Sequence, residues 1–134
     1  MASTFQLEIV TPDRKFYEDE VEMVIVRTTE GDLGILKNHT SLVSPIAIGV
    51  IRIKKDGVFT EAPCAGGFVQ VRKDKTTIIT DSAEWPEEID VERAKRAVER
   101  AEGRLKNAQA NVDVARAQAA LERALNRLNT AKKD

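Results

Sequence analysis

The sequence predicts an α+β protein in two parts, a β-rich N-terminal half followed by an α-helical C-terminal half. All six aromatic residues and six of the seven glycines lie within residues 1–85. Ten basic and thirteen acidic side chains give that half a charge of −3, whereas eleven and nine give residues 86–134 a charge of +2. Because Pro86 stands at this change in composition, we predict one domain over residues 1–85 and a second over 86–134.

Short runs with the period of β-strands follow one another through the first half. Phe5, Leu7 and Ile9 alternate with polar residues, as in a half-buried strand, and "VEMVIV" is apolar enough for a strand covered on both faces. Asp56-Gly57 joins two further β runs and indicates a hairpin, because both central turn residues need positive φ. "GGFVQV" and "TTIIT" flank "RKDK" as a second hairpin. Many short strands indicate a sandwich or a flattened barrel.

Two helices are predicted in the second half, with Asp90 as the N-cap of the first. The segment "NAQANVD" separates them without proline or glycine, so the sequence allows either a helical hairpin or one straight helix of roughly 65 Å. Apolar residues at three- and four-residue steps define one face on each helix. They are Ala94, Ala97, Val98, Ala101 and Leu105 on the first helix, and Val114, Ala117, Leu121, Ala124, Leu125 and Leu128 on the second.

Alanine dominates the apolar face of both helices. At about 25 cal/mol per Å² of buried apolar surface, such a face gains much less than one built from leucine and phenylalanine. We therefore predict that the helical half is marginally stable by itself and that it has two arrangements of similar free energy.

The helical half is also rich in arginine, beginning with "IDVERAKRAVER" at Ile89. Folding the two helices together would crowd guanidinium groups unless an anion lies among them, and the planar fork of arginine suits phosphate. The alternative is a solvated helix face. "GDLG" and "AGG" lack the lysine and Ser/Thr of a phosphate loop, so any nucleotide site would be noncatalytic. The arginines at related spacings are Arg93, Arg96 and Arg100, then Arg116, Arg123 and Arg127.

The overall composition argues against several classes of function. The 21 basic and 22 acidic side chains are balanced, so we expect no nucleic-acid partner. We expect no membrane insertion and no secretory signal, because the chain has neither a long apolar run nor a basic, then apolar, N-terminus. An intracellular soluble domain is the expected class. His39 has no companion metal ligands and Cys64 is the single cysteine, so we predict no metal and no catalytic site; the rival hypothesis is a small enzyme that uses His39 or Cys64.

Three stretches together resemble the ε subunit of bacterial-type F1Fo ATP synthases. They are "IVTPDRKFYEDEVEMVIV", "EGDLGILKNHTSLV", which is similar to the family's Gly-x-Leu-Gly-x-Leu-x-x-His pattern, and "GGFVQV" followed by "IDVERA". The resemblance extends over essentially the whole chain in the right order. Lys37 departs from it, because many members have proline there.

This resemblance implies an N-terminal antiparallel β-sandwich of about ten strands and a mobile C-terminal helical hairpin. It implies that the sandwich binds the γ subunit and faces the c-ring, where Asp32 and His39 match family residues. The hairpin lies compact on the sandwich or extends toward the αβ catalytic ring, where it inhibits ATP hydrolysis. The expected location is the cytoplasmic face of the bacterial plasma membrane, as a peripheral part of F1Fo.

Some members of this family carry an Ile/Leu-Asp-x-x-Arg-Ala motif that binds ATP without hydrolysing it. Ile89, Asp90, Arg93 and Ala94 match the motif at every specified position. Glu84 fits the same pocket, and the basic positions toward the phosphates are matched by Arg100, Arg123 and Arg127. The resemblance thus implies ATP as a regulatory ligand, with no required cofactor and with its dependence on Mg²⁺ left open. The alternative is a stand-alone nucleotide-responsive binding protein without a rotary partner.

Overall fold

The computed structural model of the protein describes residues 3–107 and 111–131. The chain divides into two compact units, Met1–Glu84 and Trp85–Asp134. Within the described residues the first unit contains seven strands, and the second contains a short 3-10 turn and two α-helices. None of the described helices is long and apolar enough to cross a membrane.

The strands of the first unit form one continuous sheet that folds over on itself. β2 and β5 contact each other although they are not neighbours in the sheet. The two ends of the sheet, β2 and β4, are not paired with each other, so the unit is a sandwich and not a closed barrel. The sheet has the order β2-β1-β7-β6-β5-β3-β4. The strands are β1 (Phe5–Val10), β2 (Lys15–Val21), β3 (Met23–Thr28), β4 (Gly31–Ile35), β5 (Leu42–Lys55), β6 (Val58–Val71) and β7 (Lys75–Thr80).

The prediction of a sandwich is confirmed, but the prediction of about ten strands is wrong for the described residues. β5 and β6 are 14 residues long each. Near one end their hairpin pairs with β7, and near the other end it pairs with β3. β5 and β6 therefore each form one long strand that pairs along its length with different neighbours. The resemblance implied several shorter strands in their place. The sheet is also not wholly antiparallel, because β1 runs parallel to β7.

Both hairpins predicted from turn residues are present. Asp56 and Gly57 have φ values of 52° and 77°, as the tight turn between β5 and β6 requires. The second hairpin joins β6 to β7, and its turn is closed by the Arg72 N–H, which donates to the Lys75 carbonyl oxygen at 2.9 Å. The prediction that "VEMVIV" is covered on both faces is wrong. Along β3 buried valines alternate with half-buried residues, because this strand is covered on one face only.

Aliphatic side chains from all seven strands fill the interior of the sandwich. Each contributes about 1.5–3 kcal/mol of hydrophobic stabilisation relative to an exposed position. The largest fully buried apolar side chains are Leu7, Val21, Val24, Val26, Ile9, Ile35, Ile51, Ile53, Ile78 and Val69.

The second unit is a helical hairpin. A 3-10 turn at Pro86–Glu88 leads into α1 (Val91–Asn107), and α2 follows at Asn111–Ala131. α1 packs against α2, and only three residues lie between them in sequence, so the two helices run antiparallel. The hairpin alternative is therefore confirmed over the single straight helix. The middle of the predicted break, residues 108–110, lies outside the described residues.

The most buried side chains of the two packed helices are mainly alanines. Ala94 and Ala101 are buried on α1, and Ala117 and Ala124 are buried on α2. Each pair is separated by one heptad, and we call these four residues the alanine seam. The seam is narrower than the predicted apolar face, because the larger apolar side chains on both helices are only partly buried and Leu125 is 37% exposed. Small side chains at the contact allow close approach of the helix axes but bury little apolar surface.

Gly67 on β6 offers a test of the sheet geometry. Its φ is +127°, and a Cβ there would overlap the Ile79 carbonyl oxygen and lie 2.8 Å from the Thr80 Cα. Gly67→Ala should therefore lower the free energy of unfolding by more than about 2 kcal/mol. Gly34→Ala is the control, since nothing lies within 4 Å of its Cβ position, and it should be neutral or slightly stabilising. Equal midpoints of chemical denaturation for both variants would contradict this geometry.

The alanine seam predicts a specific intolerance to larger residues. Ala117→Leu places three extra carbon atoms in the contact between the helices and should destabilise the hairpin by about 1–3 kcal/mol. Ala115 is exposed on the same helix, so Ala115→Leu is the matched control and should have little effect. Amide exchange measured across α1 and α2 reports the difference. Equal protection in the two variants would mean that Ala117 does not lie in a tight contact.

Candidate functional site

The site predicted from the motif begins at the N-terminus of α1. The backbone N–H of Arg93 donates to Asp90 Oδ1 at 3.1 Å, and the N–H of Ala94 donates to the Asp90 carbonyl oxygen at 3.0 Å. Asp90 is thus the N-cap of α1, as predicted. Ile89, which precedes it, is buried. The aspartate of the motif therefore has a structural role that holds whether or not a ligand binds.

Ala94 also has a structural reason to be alanine. It is fully buried in the alanine seam, where a larger side chain would push the helices apart. Two of the four motif residues, Asp90 and Ala94, are therefore explained by the folding of the hairpin. The folding of the hairpin does not explain Arg93, because its side chain is exposed and lies beside the seam.

Arginines of both helices turn toward one side of the hairpin. On α1, Arg93 directly precedes Ala94 of the seam, and Arg100 precedes Ala101. On α2, Arg116 directly precedes the seam alanine Ala117, and Arg123 directly precedes Ala124. A residue that precedes a seam position is rotated by about 100° around its own helix. Because the helices run in opposite directions, this rotation brings the residues of both helices to the same side of the pair.

Two further arginines belong to the same side. Arg104 and Arg127 each follow a seam alanine by three residues, a rotation that also turns them to this side. Of the six side chains, Arg127 is half-buried and the other five are exposed. We call this surface the arginine face. It comprises Arg93, Arg100, Arg104, Arg116, Arg123 and Arg127.

The arginine face extends along the hairpin with a definite register. Arg104 and Arg116 line one cleft near the end of α1 and the start of α2. Moving eleven residues, or about three turns, away from that cleft on each helix brings Arg93 level with Arg127. Arg100 and Arg123 lie between these two ends on the same side. The structure thus brings together, on one surface, the four arginines that the resemblance assigned to ATP.

Acidic side chains are largely missing from the arginine face. By the same rotation, Glu92, Glu99, Glu102 and Glu122 turn to the back or the opposite side of the hairpin, whereas Asp90 and Asp113, each four residues before a seam alanine, border the arginines. Within the described part of the chain, none of the exposed arginines of this face forms an ion pair. A solvated helix surface normally mixes charges of both signs. The five exposed arginines of this face therefore concentrate positive charge on one side of the hairpin.

The residues assigned to ATP from the sequence differ from the arginine face in two ways. Glu84 is the last residue of the first unit and is half-buried there, so it is described separately from the hairpin. Arg104 was missed as a candidate and Arg116 was noted only for its spacing. The signal that would have found both is their position relative to the seam, which requires knowing that the helices are antiparallel.

The residues assigned to the c-ring contact lie in the β4 region of the sandwich. Asp32 pairs across the strands with Arg27, with 2.8 Å between Arg27 Nε and Asp32 Oδ1. His39 lies in the loop after β4, and its Nδ1 is 2.7 Å from the Thr40 carbonyl oxygen. His39 lines a cleft between loops that Asp32 does not line. Asp32 is therefore held on the strand by an exposed ion pair, while His39 belongs to a loop surface.

Cys64, one of the two residues that the rival enzyme hypothesis names, is buried. Burial raises the pKa of the Cys64 thiol, and weaker hydrogen bonds from the backbone of Gly66 and Gly49 oppose this effect. The thiol therefore stays protonated near neutral pH and is a poor nucleophile. Across residues 3–107 and 111–131, no three His, Cys, Asp or Glu side chains are grouped so that they could hold a metal ion.

Family models and curated relatives match almost the whole chain. The model described as ATP synthase, Delta/Epsilon chain, beta-sandwich domain matches residues 4–86, and the corresponding long alpha-helix domain matches residues 87–132. The ATP synthase epsilon chain of Alkaliphilus oremlandii is 66% identical over 109 residues, which is 81% of each chain. That of Caldanaerobacter subterraneus is 54% identical over 111 residues, covering 82% of this chain and 80% of the relative.

Two solved structures have a similar fold. One chain of the Euglena gracilis mitochondrial ATP synthase, in an assembly of OSCP, F1 and c-ring, has a TM-score of 0.77 and 26% identity. The match covers 91% of this chain and 78% of that one. A chain of the Tetrahymena thermophila mitochondrial ATP synthase central stalk and c-ring has a TM-score of 0.71, covers 98% of each chain and is 13% identical, which supports the fold alone.

The structural role of Asp90 predicts a difference between two substitutions. Asp90→Ala removes the oxygen that accepts the Arg93 N–H and should cost about 1 kcal/mol of helix stability. Asp90→Asn keeps a capping oxygen and should cost only a few tenths of that amount. Helicity and thermal unfolding of the full chain, followed by circular dichroism, measure both. If the two variants are equally destabilised, the negative charge matters and the capping hydrogen bond does not.

Proposed function

The chain belongs to the ATP synthase delta/epsilon chain family, and we propose that it serves in the central stalk of an F1Fo ATP synthase as a noncatalytic regulatory subunit. Its sandwich binds the γ subunit and faces the c-ring, and its helices reach the αβ catalytic ring of F1. One finding supports these partners. The similar Euglena chain comes from an assembly with F1 and a c-ring.

In this proposal the protein takes part in ATP synthesis and proton transport through the complex and catalyses neither. Asp32 and His39 lie at the contact with the c-ring. The assembly places the protein at the cytoplasmic face of the bacterial plasma membrane as a peripheral component. The relatives that support this bacterial form include the epsilon chains of Alkaliphilus and Caldanaerobacter.

The arginine face is the observation that carries the regulatory part of the proposal. In this proposal Arg93, Arg100, Arg123 and Arg127 bind the phosphates of ATP, whose negative charge complements the positive charge of this face. The sequence lacks the lysine and Ser/Thr of a phosphate loop, which fits a proposed site that binds ATP and does not hydrolyse it. Ile89, which precedes the Asp90 cap, belongs to the same proposed site.

ATP then acts as the ligand that selects the compact hairpin. Binding to that form alone would stabilise it by about 2.7 kcal/mol when ATP exceeds its dissociation constant a hundredfold. The alanine seam buries little apolar surface, so a shift of this size is enough to change which form dominates. When ATP is scarce, the helices extend along γ and block rotation in the direction of hydrolysis.

Calorimetry of ATP binding to the full chain tests the site. Arg93→Ala and Arg123→Ala should each weaken binding by about tenfold or more, because hydrogen bonds to charged groups contribute about 1.5–3 kcal/mol. The matched control is Lys95→Ala, which removes a cation from the side of α1 that faces away from the arginine face. If all three variants bind ATP as the parent does, the arginine face is only a solvated surface.

Removal of residues 90–134 tests the division of labour between the two units. The truncated protein should still assemble with γ and the c-ring, because the sandwich makes those contacts. ATP hydrolysis by the complex should rise, because the inhibitory helices are gone. Arg93→Ala in the full chain provides the opposite comparison and should deepen inhibition at high ATP. A truncated chain that no longer assembles would show that the helices are required for attachment.

A further inference from the structure

The first unit contains a cleft that has no part in the proposed binding of ATP. Its volume is about 500 Å³, within the range of small-molecule sites. The loop after β4 forms one wall, the turn between β6 and β7 forms another, and the start of β1 contributes the floor. We call it the loop cleft. It is lined by residues 4–6, 36–41, 71–76 and Glu20.

Cations from two separate loops line the loop cleft. Lys37 comes from the β4–β5 loop, and Arg72 and Lys73 come from the β6–β7 turn. Within the described residues these three side chains form no ion pair. A fourth cation, Lys75, is 3.3 Å from a carboxylate oxygen of Glu8 on β1.

Acidic groups in the same lining do not cancel this charge. Glu20 on β2 and Asp74 in the β6–β7 turn are the two carboxylates, against four cationic side chains. With His39 neutral the lining has a formal net charge of +2, which becomes +1 when Glu8, the partner of Lys75, is counted with it. An anion that enters the cleft therefore meets an excess of positive charge.

Both walls of the cleft are held by backbone hydrogen bonds. The Arg72 N–H donates to the Lys75 carbonyl oxygen at 2.9 Å, and the His39 N–H donates to the Leu36 carbonyl oxygen at 3.2 Å. The backbone positions of these cations are thus fixed by tight turns before any ligand arrives, which reduces the ordering cost of binding. The hydroxyls of Thr40 and Ser41 and the amide of Asn38 supply neutral donors in the same lining.

We propose that the loop cleft binds a phosphate group. Arg72 provides the paired donors that match two phosphate oxygens, and Lys37 and Lys73 provide point charges on the two sides. The group is either a free phosphate or pyrophosphate ion or the phosphate of an anionic lipid headgroup, and the chemistry of recognition is the same for both. This site is independent of the arginine face.

Amide chemical shifts of the full chain during titration with inorganic pyrophosphate test the free ion. Saturable shifts should appear in residues 36–41 and 71–76. Arg72→Ala and Lys73→Ala should each weaken this response by about tenfold. Lys95→Ala removes an exposed cation of the hairpin and should leave it unchanged. Arg93→Ala should also leave it unchanged, which separates this site from the proposed ATP site.

Flotation of the full chain with vesicles tests the lipid source. Vesicles of phosphatidylcholine with phosphatidylglycerol should bind the chain, whereas phosphatidylcholine alone should not, and Arg72→Ala should reduce that binding severalfold. Saturable binding in either experiment that requires Arg72 and Lys73 supports the proposal and identifies the source. The proposal is overturned if neither probe binds, or if Lys95→Ala weakens binding as much as Arg72→Ala does.

Discussion

The contact between two antiparallel helices, with four alanines at its most buried positions, is the constraint from which the charge distribution of the second unit follows. Ala94 and Ala101 on α1 meet Ala117 and Ala124 on α2 with one-heptad spacing. Side chains this small fix the rotation of each helix, because only the alanine stripe allows close approach. They gain little hydrophobic free energy in doing so. The same stripe therefore specifies the geometry of the hairpin and keeps its stability low.

The fixed rotation separates charge across the hairpin. Arginines that neighbour the seam on both helices share one side, and most of the glutamates turn away from it. Like charges near one another on a surface repel by a few kcal/mol at most, since solvent screens them. That energy is comparable to what a narrow seam supplies. A bound polyanion turns this repulsion between the arginines into a net attraction. A small ligand can thereby change the balance between two arrangements of the same helices.

The sequence predicted those features that depend on local chemistry. Asp90 as the helix cap and Asp56-Gly57 as a hairpin turn are settled by residues within four positions of each other, and both are confirmed. The number of strands was not predictable in this way, because the length of β5 depends on where it pairs with β3, whose paired residues lie more than twenty positions earlier in the sequence. The arginine face was predictable only in part. Its spacing is visible in the sequence, but its shared side follows only from the antiparallel packing of α1 on α2, and the break between the helices left that open.

Amide hydrogen exchange of the full chain with and without ATP tests the central claim most directly. If the arginine face binds ATP in the compact hairpin, saturating ATP should slow exchange in residues 91–107 and 111–131 by about a hundredfold, the factor that corresponds to 2.7 kcal/mol. Exchange in the buried strands of the sandwich should stay as it was. Unchanged protection of both helices at saturating ATP would contradict the account.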